Sequence, residues 1–176
     1  MNDCPIGQQL VHPDGSTVTL LDKGTEQAGP FLKVEHRMTK AKAVNGPHWH
    51  PVLKETFTVK EGHMRFLVDG RESILSAGEQ LTIWPEQVHQ FWNISDSGLV
   101  AIHKISPPGK HWEMFQLIHK LECEGKMNKK GIPTNPLWVG LAWEHMDGFL
   151  AGPPKMLQKV FLGGLASMAK RFGYRI

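Results

Sequence analysis

The chain has 176 residues, of which 40% are apolar, and a formal net charge of +3. It is long enough to bury one core, and before its C-terminal segment it carries no basic stripe of the kind a nucleic-acid binder needs. Its 12 Pro and 18 Gly are scattered, which suits many turns between short strands and argues against a disordered or repetitive chain.

Residues 1 to 30 read as an arm or short edge strands, with weak alternation over Ser16 to Leu21 and a turn at Gln27 to Pro30. Phe31 to Met38 alternates as a strand does. Glu55 to Val59 is rich in strand formers, and Lys60 to His63 reads as a turn. Met64 to Val68 and Glu72 to Leu75 flank Asp69-Gly70, the strongest hairpin signal in the chain. Leu81 to Trp84 is a strand stopped by Pro85, His89 to Asn93 alternates, and Leu99 to Ile105 follows a turn at Asp96 to Gly98. Many short strands at this spacing predict a sandwich or barrel.

The period turns helical after Pro107-Pro108-Gly109. One helix is predicted around Trp112 to Leu121. Another starts where Asn135 caps and Pro136 takes the first helical position. A last helix, Lys155 to Arg171, follows the break at Gly152-Pro153-Pro154. Its apolar face is expected to be Leu157, Phe161, Leu165 and Met168, with Val160 and Phe172 beside it. The expected organisation is therefore a β domain over 1–106 and a helical extension over 107–176.

His48 and His50 are two apart, so on a strand both imidazoles face one side and can reach one ion. Glu55 follows after four intervening residues, and His89 arrives from a separate strand. With ten histidines in the chain a chance pair is not rare, but the added glutamate and third histidine make a ligand set. Three imidazoles and a carboxylate suit Fe, Mn, Co, Ni, Cu or Zn better than Mg or Ca. The expected cofactor is one divalent transition metal ion.

These residues resemble the two signatures of the cupin superfamily. His48-x-His50, four residues, Glu55, six residues and Gly62 resemble the first; Gly78, ten residues, His89, three residues and Asn93 resemble the second. Fifteen residues separate Gly62 from Gly78, as in small cupins. Two positions depart from the pattern. Lys42 stands where the first signature opens with glycine. In the second, Trp84 holds the usual Pro position and Glu86 the usual Gly position, so a different turn geometry is expected there. The resemblance implies a mostly-β, cupin-type double-stranded β-helix (jelly-roll) barrel with a C-terminal helical extension. It also implies His48, His50, Glu55 and His89 as metal ligands and pairing into a homodimer. Glu55, swung away from the ion, could instead serve as a catalytic general base.

Positions sharing the ligands' parity should line a pocket: Phe57, Val59, Phe66, Phe91 and Asn93, with His103 as a core or supporting residue. Such a lining suits a small apolar or aromatic molecule better than a phosphorylated sugar. The favoured function is a metal-dependent oxygenase, with a Lewis-acid isomerase, cyclase or lyase and a non-catalytic small-molecule binder as alternatives. Cys4 and Cys123 belong to no CxxC pair, and no leader peptide or membrane span is visible, so a cytoplasmic, reducing setting is expected. The last segment holds Lys155, Lys159, Lys170, Arg171 and Arg175 with no Asp or Glu. Peripheral membrane contact by this helix is a lesser alternative to packing within the protein.

Overall fold

The structure is a computed structural model that describes residues 5–43 and 45–176, with only the backbone of Lys42 and Ala43. Cys4 lies outside the described residues. The chain divides into two compact units between Pro108 and Gly109.

The first unit holds two antiparallel sheets. One runs β1(Gln9–Val11)-β2(Thr17–Glu26)-β3(Gly29–Met38)-β11(Leu99–Ser106)-β6(Lys54–Glu61)-β9(Gln80–Ile83). The other runs β5(His48–Trp49)-β10(His89–Asn93)-β7(His63–Val68)-β8(Arg71–Ser76), and β4(Lys42–Ala43) also pairs with β10. This non-sequential strand order is that of a jelly roll.

Strand inner faces alternate with solvent-facing residues, as on β6, where Glu55, Phe57 and Val59 are buried. Phe57, Phe66, Phe91, Met64, Ile83 and Leu99 meet in one apolar core. Asp69 and Gly70 both take positive φ, as the predicted two-residue hairpin requires. The predicted turn at residues 60 to 63 is tighter than expected. Strand β6 continues to Glu61 and β7 begins at His63, leaving Gly62 alone at φ +83. A Cβ on Gly62 would collide with the Gly98 carbonyl and the Ser95 hydroxyl, so only glycine fits.

The second unit contains α1(His111–Cys123), α2(Pro136–Met146), β12(Phe149–Leu150) and α3(Lys155–Arg171). Asn135 caps α2 by accepting from the Leu137 N–H at 2.8 Å, with Pro136 at the first position, as predicted. Leu117, Leu121, Trp138, Leu141 and Ala169 form this unit's core.

Helix α3 contradicts the expected apolar face. Leu157, Val160, Phe161, Met168 and Phe172 are exposed, whereas Gln158, Ala166 and Ala169 are buried. The reason is close helix packing. Gly140 of α2 brings its backbone against Leu165 and Ala166, where a Cβ would lie 2.6 Å from the Ala166 nitrogen. Of the expected face only Leu165 packs at this approach, and the other apolar residues of that face are turned outward. The buried Gln158 amide is satisfied by the backbone of Leu150 and Pro153.

Gly140→Ala should therefore destabilise the chain by roughly 1–3 kcal/mol, because overpacking outweighs the gain in helix propensity. Gly164→Ala meets nothing within 4 Å and should stabilise it by about 0.5–1 kcal/mol. Denaturant titration of both variants checks the opposite signs.

Candidate metal centre

The four predicted ligands meet between the two sheets. His48 on β5 is the direct partner of His89 on β10. His50 follows β5, and Glu55 enters from β6 of the facing sheet, paired with Ile83 and Ile105. The Nε2 or Nδ1 of each histidine and a Glu55 oxygen all lie within 4.8 Å of one another, and all four residues are buried.

The backbone sets the ring orientations. His48 Nδ1 lies 2.9 Å from the Gly46 carbonyl, and His89 Nδ1 lies 2.9 Å from the Gln87 carbonyl. A carbonyl only accepts, so each Nδ1 carries the proton and donates it. Both Nε2 lone pairs are left to face the cluster, the tautomer a metal ligand needs.

Glu55 is the centre of the charge balance. Its Oε2 lies 2.8 Å from His89 Nε2 and 3.7 Å from His50 Nε2. The 2.8 Å contact is short but poorly aligned. Among the described residues His89 Nε2 and Glu55 Oε2 are buried polar atoms with no hydrogen-bond partner. Inward-pointing donor atoms without partners of their own are what a cation would satisfy, so the residues fit a transition metal ion.

Burial alone would push the Glu55 carboxyl up, but His103 and His89 beside it hold it well below the ordinary carboxylate range. Burial also pulls His89 down, yet the Glu55 carboxylate outweighs it and leaves His89 raised. Burial, then the neighbouring His89 and His50, lowers His48 to about 3.

A second group of residues stands behind Glu55. Its Oε1 lies 3.0 Å from His103 Nε2, and His103 Nδ1 lies 3.4 Å from His36 Nε2. His103 stacks on Phe57 with ring centroids 4.0 Å apart. His36 was not singled out from the sequence. Its signal was available in its parity, since it shares the inward face of β3 with Leu32 and Val34.

Phe57, Val59, Phe66 and Phe91 sit in the packed core, with Phe57 and Phe91 ring centroids 4.8 Å apart. Asn93 is buried and braces a turn, donating to the Lys40 carbonyl and accepting from the Ser95 N–H. Glu86 adopts φ +68, the conformation a glycine would take there. Its N–H donates to the His50 carbonyl at 2.7 Å, and Asp69 and Gln87 tie down the rest of the turn. These bonds offset the cost of roughly 1 kcal/mol for a non-glycine residue in that region.

A jelly roll with three histidines and a glutamate converging between its sheets is the architecture of a small barrel with a candidate metal centre. Residues 35–104 match the family model described as "Cupin domain". The segment 35–104 is therefore similar to a cupin domain, and a helical extension follows it in the chain.

Similar solved structures include an RmlC-like cupin from Shewanella frigidimarina, at 21% identity, covering 60% of this chain and 88% of that one, with a TM-score of 0.49. KdgF from Halomonas sp. is similar at 15% identity, covering 52% and 78%, with a TM-score of 0.44. A structure described as a sugar phosphate isomerase from a cupin superfamily, from Silicibacter pomeroyi, has 18% identity and a TM-score of 0.45. It is covered over 55% of this chain and 62% of its own, so this chain spans less than two thirds of it. No curated protein matches the chain.

Two predictions follow from the site. His48→Ala and His89→Ala should each abolish about one equivalent of bound transition metal, read by elemental analysis beside the wild type. The second concerns the metal-free chain. His36 is lowered to about 3 by burial and by His103 and His12, so it and His48 stay neutral when folded. The unfolded chain protonates both near 6.5. Stability should then fall as pH drops below 6.5, by about 1.4 kcal/mol per pH unit for each. The raised His89 acts above this window, because its contribution is complete below 6.5 and is lost only as pH rises. Glu55 contributes only in the part of this range under 4.5, where a lowered carboxyl starts to lose its contribution. Urea unfolding at two pH values between 4.5 and 6.5 checks the slope, which His36→Gln should flatten.

Proposed function

We propose that this cupin is a metal-dependent oxygenase acting on a small apolar or aromatic organic molecule. The observation that carries the reading is the buried three-histidine, one-glutamate set at the edge of an aromatic core. His48, His50, Glu55 and His89 would hold the ion. When bound, a redox-active ion supplies activation of dioxygen and substrate, whereas zinc or manganese supplies Lewis-acid polarisation.

The chain's own residues do the remaining work. The Gly46 and Gln87 carbonyls hold the His48 and His89 rings in their ligand tautomers. Phe57, Phe66 and Phe91 keep one side of the site dry, and a dry setting strengthens every charge interaction at Glu55.

One observation favours Lewis-acid isomerase, cyclase or lyase chemistry as a second reading. Glu55 Oε1, the buried His103 and the half-buried His36 form a line of contacts. A proton arriving at Glu55 Oε1 can pass to His103 Nε2 while His103 Nδ1 releases one toward His36. Isomerisation or elimination would use such a path, because each moves a proton on and off the substrate.

Oxygen uptake separates the readings. The protein loaded with iron, copper, manganese or nickel should consume dioxygen with an apolar or aromatic substrate, and Glu55→Ala should lose this together with its metal. Turnover of a substrate under strict anaerobiosis would instead support the Lewis-acid reading. An unchanged, tightly held ligand would leave a binding protein.

A further inference from the structure

We propose that the exposed face of α3 seats the helical unit on an anionic lipid surface. Helix α3 has two faces of different character. One face, with Gln158, Ala166 and Ala169, is buried. The other carries Leu157, Val160, Phe161, Met168 and Phe172 at helical spacing. Val160 is 71% exposed, Phe161 64% and Phe172 66%. Met156, at the first turn, is 70% exposed. The unit's own core, built on Leu117, Leu121, Trp138, Leu141 and Ala169, does not use this face. A monomer seldom displays so continuous an apolar strip without a partner for it.

Charge identifies the partner. From Lys155 to Ile176 the chain holds Lys155, Lys159, Lys170, Arg171 and Arg175 and no acidic residue. Lys170 is engaged by Glu144 of α2 at 2.8 Å, and Lys155 lies over the Phe149 ring. Among the described residues Lys159, Arg171 and Arg175, along and beyond the helix, form no ion pair with an acidic side chain. A second copy packed on this face by a two-fold axis would bring cations against cations. No carboxylate in the segment would relieve them. A surface that is negative outside and apolar a few ångströms inside matches both features at once, and an anionic bilayer interface is that surface. No helix of the described residues is long and apolar enough to cross a membrane. The helix therefore lies in the interface, with its long basic side chains reaching up to the headgroups.

The test uses the full chain and sedimentation with two kinds of vesicle, phosphatidylcholine alone and phosphatidylcholine with phosphatidylserine. The chain should pellet with the phosphatidylserine vesicles, and added salt should release it. The double variant Val160→Gln with Phe161→Gln changes only exposed positions. It should keep its circular dichroism and bind more than about tenfold more weakly. Lys159→Gln and Arg171→Gln should each weaken binding about fivefold. The proposal is overturned if the chain stays with neither vesicle, binds both equally, or binds as well when the double variant is used. It is also overturned if light scattering shows a dimer that the double variant dissociates, which would assign the face to a second copy.

Discussion

A carboxylate buried among imidazoles is tolerable only while positive charge or a proton lies against it, which at Glu55 falls to the surrounding imidazoles and to the cation they would hold. Its Oε2 faces His89 and His50, and its Oε1 faces His103. Burying the charge alone would cost several kcal/mol. The two sheets must close with three strands of imidazoles around one strand's carboxylate, and that requirement links the register of β5, β6, β10 and β11. The pairing of His48 with His89, and the position of His103 opposite Phe57, are the local expressions of that register. A slip of one residue would reverse which face each ligand occupies.

The same barrel interior is split by chemistry. Around Phe57, Phe66 and Phe91 it is an apolar core. Around Glu55 it is a set of histidines whose protons are assigned by backbone carbonyls and by each other. His103 belongs to both halves, since it stacks on Phe57 and touches Glu55. Phe57 thus reaches the carboxylate through His103, by one ring stack and one polar contact. The Glu86 turn serves the site in a similar way. Its hydrogen bond to the His50 carbonyl ties the segment before His89 to the segment carrying His50.

The helical unit follows a different logic. Its α2–α3 contact is built from backbone proximity at Gly140 rather than from large side chains. Close contact frees the long apolar residues of α3 from the core and puts them on the surface. Glu144 holds the two helices' ends with Lys170 and also engages Lys110. The carboxyl is lowered as a result: burial works against it, and the bonds from Lys170 and Lys110 outweigh burial.

Much of the site was legible along the chain because its determinants are local. An HxH pair on an extended segment shares a face by the two-residue period, and Asp69-Gly70 or Asn135-Pro136 specify their turn and cap from neighbouring atoms alone. The candidate ligand residues, the hairpin and the helix start were therefore readable from residue type and spacing. Three features were not. Glu86 takes a glycine's conformation because hydrogen bonds from distant residues hold it there. His36 joins the site only because β3 lies beside β11. The outward face of α3 depends on Gly140, on another helix, bringing its backbone against Leu165 and Ala166. The sequence by itself determined which groups could carry charge, bind an ion or turn the chain. The tertiary structure decided which of them meet and which apolar side chains are left to solvent, because contact distance between remote backbones is not written in any local pattern.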